Sequence, residues 1–266
     1  MGSPEKEQTA NGSAATEPAP PSYTEATYQP SPSTSIPRQF PPTFNLYRIS
    51  GWTSDKYSLG EHMNQPLYYC TWHSAFSSSP PLILHSGPDE SFPPLATVEW
   101  QSFFRNFYVE LPPLNPSSGA ASAREEIEAV SAGFGRSYRF SIEVGPRNVR
   151  EQFEWRHSHG DAVRHLNGQS SGWKLVRLAQ GPPGAGTGSG NAATFVPGGY
   201  MTSDGHEVVA AWTMNSGSKV GKFHFTGTGL SGLLGERWAI MAVVTFCAFI
   251  QRIRRQGTSG QASINA

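Results

Sequence analysis

This sequence of 266 residues has few cysteines and a formal net charge of zero, and it begins without an apolar segment. It contains two cysteines, Cys70 and Cys247, and its first residues, MGSPEK, lack the apolar core of a secretory signal peptide. We therefore expect a reducing, intracellular compartment. The 20 basic residues balance 20 acidic residues, so no overall field steers the chain towards nucleic acid, and we expect no nucleic-acid partner.

Glycine and proline are abundant, with 28 and 22 residues, which argues against an all-helical bundle because both interrupt helices. Residues 1–43 hold nine prolines and twelve serines or threonines, so we predict a disordered tail there. The rest of the chain divides into a folded domain at 44–256 and a disordered C-terminus at 257–266. Segments 181–191 and 112–122 are predicted to be long flexible loops.

Short segments rich in aromatic and β-branched residues recur along the domain at the spacing of consecutive strands. Phe140 and Ile142 alternate with polar residues, as do Phe153 and Trp155. This alternation indicates strands with one buried face and one solvent-exposed face. A short helix is an alternative for the segment at 127–130. The twelve predicted strands centre on residues 45–49, 67–72, 82–85, 96–100, 106–111, 127–130, 138–144, 152–157, 173–178, 192–196, 208–214 and 222–226.

Residues 238–250, WAIMAVVTFCAFI, are apolar at every position except Thr245, which predicts a helix buried on all sides. Thirteen helical residues span roughly 20 Å, whereas the hydrocarbon core of a bilayer is about 30 Å thick. Glu236 suits the positive first turn of a soluble helix. The negative helix end would be complemented by three cations: Arg252, Arg254 and Arg255.

A barrel of about twelve strands encloses more space than its own side chains easily fill, and the apolar helix would fill it. We therefore predict a mainly β protein, a closed antiparallel barrel around a buried C-terminal helix. The alternative is a C-terminally anchored membrane protein that uses residues 230–250 as its span. That alternative includes Glu236 and Arg237 in the span, where each would be costly.

This order of elements resembles the tubby C-terminal-like family, which includes tubby proteins, phospholipid scramblases and plant LURP-one-related proteins. The resemblance covers residues 44 to about 256, and it is carried most specifically by FEWRHSHG at 153–160, GWKLVRL at 172–178 and the helical segment 235–255. It implies a twelve-stranded barrel around a central helix, as in uncharacterised fungal members. Scramblases also carry a cysteine-rich stretch and an acidic calcium loop, which are lacking here, so calcium-driven lipid scrambling is not expected.

Residues 136–177 contain eight basic and four acidic residues, a net charge of plus four. On outward faces such cations would contact anionic lipid headgroups, at about 1 kcal/mol each. An ordinary solvated face is the alternative, because acids are interspersed. The resemblance favours lipid, because tubby proteins bind phosphoinositides through basic barrel residues. The candidate lipid-binding residues are Arg136, Arg139, Arg147, Arg150, Arg156, Lys174 and Arg177.

Three histidines and one aspartate form the densest polar cluster: His157, His159, Asp161 and His165. Residues two apart on a strand project to the same side, so this cluster could hold zinc or take part in catalysis. A strand end followed by a polar turn is the preferred interpretation, because no cysteine ligand or recognised zinc spacing accompanies it. We expect no metal, no cofactor and, since no nucleophile stands beside a base, no enzyme.

The tail contains Pro20-Pro21-Ser22-Tyr23, which matches the Pro-Pro-x-Tyr pattern that WW domains bind. Two adjacent prolines favour the polyproline II conformation before binding, and the tyrosine fills a second groove. Coincidence in a proline-rich tail is the alternative. The sequence thus predicts a non-enzymatic binding module that associates peripherally with anionic membranes and recruits a WW-domain protein through Pro20, Pro21 and Tyr23.

Overall fold

The structure is a computed structural model. It describes residues 39–49, 55–74, 77–101, 106–114, 122–132, 135–185 and 195–264, together with Gly2. Within these ranges the side chains at 131, 132, 135, 136 and 257–264 are outside the description. The chain divides into two units, Met1–Ser35 and Ile36–Ala266, and all elements named below belong to the second.

Twelve antiparallel strands form a closed barrel, in which each strand pairs with its neighbours in the sequence and the last strand pairs with the first. This confirms the predicted mainly β fold. The strands are β1 (Thr43–Arg48), β2 (Lys56–Gly60), β3 (Tyr68–Trp72), β4 (Leu82–His85), β5 (Pro94–Trp100), β6 (Phe107–Leu111), β7 (Ala123–Ala132), β8 (Gly135–Val144), β9 (Val149–Ser158), β10 (Gly172–Arg177), β11 (Glu207–Met214) and β12 (Lys219–Phe225).

Eleven of the twelve predicted strands overlap observed strands, and one prediction is wrong. In the predicted strand 192–196, Phe195 and Val196 lie outside every strand, and residues 192–194 lie outside the described residues. Val196 is 83% exposed, and the twelve described strands form a closed sheet with no free edge for a further strand. The strand that the prediction missed is Lys56–Gly60, which contains no β-branched residue but buries Tyr57 and Leu59.

The segment for which a helix was the alternative is strand β7, and the helical alternative is wrong. Ile127 is buried opposite Phe107 of β6, and Ala129 lies opposite Tyr138 of β8. Pairing on both sides thus outweighs the helix propensity of its alanine and glutamate residues.

Helix α3 (Glu236–Ile264) fills the barrel, as predicted, and residues 240–252 are buried. Two short helices precede it, α1 (Asp161–Arg164) and α2 (Gly227–Ser231). The helix is longer than the predicted segment 238–250, and its end overlaps the predicted disordered C-terminus at 257–266.

Two further predictions concerned the arginines at the end of this helix and a possible membrane span. The arginines expected at its negative end lie inside it, because it continues to Ile264, so that prediction is wrong. The proposed membrane span 230–250 is divided between α2, a turn and α3. Among the described residues, no helix is both long and apolar enough to span a membrane.

The interface between helix and barrel is built mainly from aromatic rings. Trp155 of β9 donates from Nε1 to Oγ1 of Thr245 at 2.9 Å, which places the single polar residue of the apolar segment beside an indole N–H. Phe249 stacks on Trp173 with ring centroids 5.5 Å apart. Gly221 of β12 permits close approach, since a Cβ there would lie 2.4 Å from Cδ1 of Ile250.

The barrel has two ends, which we name by the helix. At the helix-start end, Arg237 contacts the carbonyl oxygen of Pro112, in the connection that follows β6. At the helix-exit end, Gln251 donates to the carbonyl oxygen of Pro81 at 2.6 Å and accepts from Nε1 of Trp100 at 3.0 Å. The helix therefore leaves the barrel beside the residue that precedes β4 and the last residue of β5.

Candidate functional site

The seven basic residues predicted to bind lipid lie on β8, β9 and β10 and in the turn between β8 and β9. Arg136 lies on β8, but its side chain is outside the description. The other six side chains have contacts described in turn below. They are Arg139, Arg147, Arg150, Arg156, Lys174 and Arg177.

Two of these arginines neutralise carboxylates on the outer face of the barrel. Arg139 and Arg156 lie 3.3 Å and 3.2 Å from the same oxygen of the buried Glu154. Arg156 also pairs with Asp204 at 2.7 Å. Hydrogen bonding from Thr202 and from Arg156 lowers the pKa of Asp204 to about 2, so this carboxylate is charged at neutral pH.

Lys174 and Arg147 are the members of the set without a carboxylate partner among the described contacts. Lys174 lies opposite Arg156 on the neighbouring strand, and burial, followed by the positive charge of Arg156, lowers its pKa. Arg147 is exposed in the turn after β8 and donates to the carbonyl oxygen of Ala185 at 3.4 Å. These two cations lie apart from each other, one in a strand and one in a turn at the helix-start end.

Arg150 belongs to a four-residue ion-pair network at the helix-start end. It pairs with Glu125 at 2.7 Å and with Glu143 at 2.5 Å, and Arg237 of the helix contacts both carboxylates at 3.2 Å and 3.1 Å. Hydrogen bonding to Glu125 raises the pKa of Arg150. Burial alone would raise the pKa of Glu143, but its backbone hydrogen bond and the two guanidinium groups lower it overall. The network joins strands β7, β8 and β9 to the first turn of α3.

Arg177 faces the barrel interior and is 1% exposed, so the prediction that it lies on an outward face is wrong. It pairs opposite Phe153, a core residue, and its guanidinium forms two bonds to Glu151 at 2.7 Å and 2.9 Å. The backbone N–H of Gly184 donates to the same carboxylate at 2.8 Å. Together, these contacts show that the set does not form one exposed, unneutralised basic surface.

The predicted histidine cluster is spread over a strand end, a helix and a loop. The rings of His157 and His159 lie 5.1 Å apart, and burial, followed by the charge of His159, lowers the pKa of His157. Asp161 pairs with Arg164, while His165 contacts the hydroxyl of Tyr200. Among the described residues, no group of three or more histidine, cysteine or acidic side chains is placed to hold a metal ion.

A different set of cations gathers at the helix-exit end, and the sequence analysis did not assign these residues to a binding site. Arg48 ends β1, and its backbone N–H bonds to the carbonyl oxygen of Ser218, immediately before the first residue of β12. Three further arginines follow Gln251 on α3. We name this set the exit surface: Arg48, Lys219, Arg252, Arg254 and Arg255.

Two arginines of the exit surface are fixed by contacts with the barrel wall. Arg252 is buried and donates to the hydroxyl of Tyr138 at 2.6 Å. Arg255 donates to the carbonyl oxygen of His73. Burial lowers the pKa of Arg255, while the nearby Asp55 carboxylate opposes this change. The helix therefore leaves the barrel between cations that are held in place, with Asp55 as the nearby acid.

The signal that could have found this surface is the run Arg252-Ile253-Arg254-Arg255, which directly follows the apolar segment. The other two members, Arg48 and Lys219, precede Arg252 by 204 and 33 residues, in parts of the chain that show no charge clustering. The Pro20-Pro21-Ser22-Tyr23 motif lies outside the described residues.

Comparisons with protein-family models, with curated proteins and with solved structures found no match for this chain.

Proposed function

We propose that this protein is a non-enzymatic, intracellular binding module that associates peripherally with anionic membranes through its exit surface. The observation that carries the proposal is the gathering of five cations from β1, β12 and α3 at one end of the barrel.

The physical basis of the proposal is the attraction between a cationic surface and the negative potential of an anionic leaflet. Each lysine or arginine near such a surface contributes about 1 kcal/mol, and the effect falls off within about 8–10 Å at physiological salt. Arg252 is buried, but the other four cations are partly exposed at the end of the barrel and can approach a flat membrane together. The resemblance to the tubby C-terminal-like family remains a prediction that agrees with this role.

Sedimentation with lipid vesicles tests the proposal directly. The purified protein is mixed with phosphatidylcholine vesicles that contain or lack phosphatidylserine, at low and at high salt. We expect binding that requires phosphatidylserine and is lost at high salt. The double variant Arg254→Gln and Lys219→Gln should bind roughly 30-fold more weakly, because two cations contribute about 2 kcal/mol.

A matched double variant provides the control for a nonspecific effect of net charge. Arg124→Gln with Arg147→Gln removes the same charge from exposed positions away from the exit surface, where Arg124 pairs with Glu99. It should leave vesicle binding within about twofold of the unchanged protein. Equal losses in both double variants would mean that overall charge, and not the exit surface, drives binding. Soluble recovery under every condition would refute the membrane role.

We also propose that residues Pro20, Pro21 and Tyr23 recruit a WW-domain protein, so that the tail brings a partner to the membrane. The support for this proposal is the sequence motif alone. Its test is described at the end of the Discussion, because it concerns the molecule as a whole.

A further inference from the structure

One buried donor beside the exit surface has no acceptor among the described residues. Nε1 of Trp72, the last residue of β3, makes no hydrogen bond there, although Trp72 is only 4% exposed. A buried indole N–H usually has an acceptor, and leaving one unsatisfied costs roughly 1–3 kcal/mol. Trp212 and Trp238 also have unsatisfied N–H groups; Trp72 differs from them in being the last residue of its strand, beside the cations of the exit surface.

The surroundings of Trp72 are cationic and rich in donors. Its ring stacks on Tyr57 with centroids 3.8 Å apart. Arg48 lies opposite Tyr57 on the neighbouring strand and hydrogen-bonds to it. Burial is the main reason that the pKa of Tyr57 rises to about 12, so its hydroxyl keeps its proton at neutral pH. Arg255 reaches the same place from the helix, where it bonds to the carbonyl oxygen of His73, the residue after Trp72.

We propose that these residues form a binding site for a phosphate group. We name it the exit pocket and define it by Arg48, Tyr57, Trp72 and Arg255. Its indole N–H, phenol hydroxyl and two guanidinium groups come from β1, β2, β3 and α3. Donors that arrive from several directions suit a tetrahedral oxyanion, which offers acceptor oxygens on all sides, and arginine is well matched to phosphate.

The role of the exit pocket at a membrane rests on the proposed function, but phosphate binding by the pocket can be tested without a membrane. The phosphate would come either from a lipid headgroup or from a soluble molecule. Asp55 lies beside the pocket, because its carbonyl oxygen accepts from the backbone N–H of Trp72 at 2.8 Å. Its carboxylate interacts with Arg255 and therefore opposes the binding of an anion. Removal of that negative charge should therefore tighten binding.

Nuclear magnetic resonance of the indole N–H groups tests the pocket in the full chain. The sequence has seven tryptophans, and the signal of Trp72 is assigned by its loss in Trp72→Phe. Titration with inorganic phosphate should shift this signal saturably, whereas sodium chloride at equal ionic strength should not. Trp72→Phe keeps an aromatic ring on Tyr57 but removes the donor, and it should bind phosphate about tenfold more weakly.

Two further measurements distinguish a loss of phosphate binding from a folding defect. Asp55→Asn should bind phosphate more tightly than the unchanged protein, which a folding defect would not produce. Unshifted signals from the other tryptophans would show that Trp72→Phe is folded. If phosphate moves the Trp72 signal no more than chloride does, or if Asp55→Asn weakens binding, the inference is wrong.

Vesicles separate the pocket from the membrane proposal. Binding to phosphatidate vesicles that weakens in Trp72→Phe supports a headgroup phosphate as the ligand. A phosphate shift at Trp72 without vesicle binding supports a soluble phosphate ligand and refutes the proposed membrane role. Vesicle binding that is the same in both proteins, without a phosphate shift, retains the membrane role and refutes the pocket.

Discussion

At the scale of single residues, the strand period of two explains both what the sequence predicts and what the prediction missed. Phe153 and Trp155 were correctly placed on a buried face. The same period places Glu151 with Phe153, and Arg177 with Leu175, on the inside of the barrel. In the sequence, these two residues were counted with the outward-facing charged residues, because their charge was used and not their position in the alternation along the strand. Their ion pair shows that position along the strand, and not residue type, decides the face.

The buried pair between Arg177 and Glu151 yields a stability prediction. Arg177→Met should destabilise the protein by about 3–5 kcal/mol, because it leaves the Glu151 carboxylate buried without its guanidinium partner. The double variant Arg177→Met with Glu151→Leu should recover most of that loss, because neither charge remains. Urea unfolding of the three proteins measures the difference. A single variant as stable as the unchanged protein would show that backbone donors such as Gly184 suffice for the carboxylate.

At the scale of elements, strong sequence patterns predicted the helix correctly, whereas one strand with a weak pattern was missed. The helix was evident because thirteen consecutive residues are apolar except one, and the structure buries them. The strand Lys56–Gly60 was missed because it is short and polar in sequence, and it exists because β1 and β3 pair with it on both sides. Barrel closure therefore supplies a strand that local propensity does not predict.

The helix is expected to be essential for folding, because it supplies the filling of the barrel. A chain that ends before Gly235 should be insoluble, since each large apolar side chain that it removes from the core contributes about 1.5–3 kcal/mol. A chain that ends after Gln256 should remain soluble with a cooperative melt, because the fully buried part of α3 ends at Arg252. Solubility and thermal unfolding of both truncations measure this. A soluble, cooperatively melting short chain would contradict the role of the helix as core.

A single substitution gives a milder version of the same test. Val243 is fully buried, so Val243→Asp should cost several kcal/mol as an unpaired carboxylate among apolar neighbours. Val243→Ala is the matched control, because it removes volume at the same position without adding charge. The aspartate variant should be clearly less stable than the alanine variant.

At the scale of the whole molecule, the candidate site depends on contacts that the sequence does not display. Residues 136–177 are basic as a stretch, yet acids within it and two from outside it, Glu125 and Asp204, pair with several of its cations in the fold. Conversely, Arg48 and Arg255 belong to no common stretch and meet only after the barrel closes around the helix. Charge counted along the chain therefore does not predict which cations lie together in the fold.

The first strand of the barrel begins at the helix-start end. β1 begins at Thr43, paired with His224 close to Phe225, and Phe225 packs on Trp238 at the helix-start end. The exit surface lies at the other end. Strand β1 therefore begins at the end of the barrel opposite the exit surface.

We expect WW-domain binding and vesicle binding not to compete, because different residues of the chain are proposed to form the two sites. A WW domain that binds Pro-Pro-x-Tyr peptides should bind a peptide of residues 18–28 with micromolar affinity, about 8 kcal/mol, because a short flexible ligand loses entropy on ordering. Tyr23→Ala should remove most of this affinity, because one aromatic side chain often dominates such an interface. With the full chain, a saturating WW domain should cosediment with phosphatidylserine vesicles and leave the vesicle affinity unchanged. Equal binding of the peptide and its Tyr23→Ala variant would make the motif a coincidence, and displacement from vesicles by the WW domain would contradict the separation of the two sites.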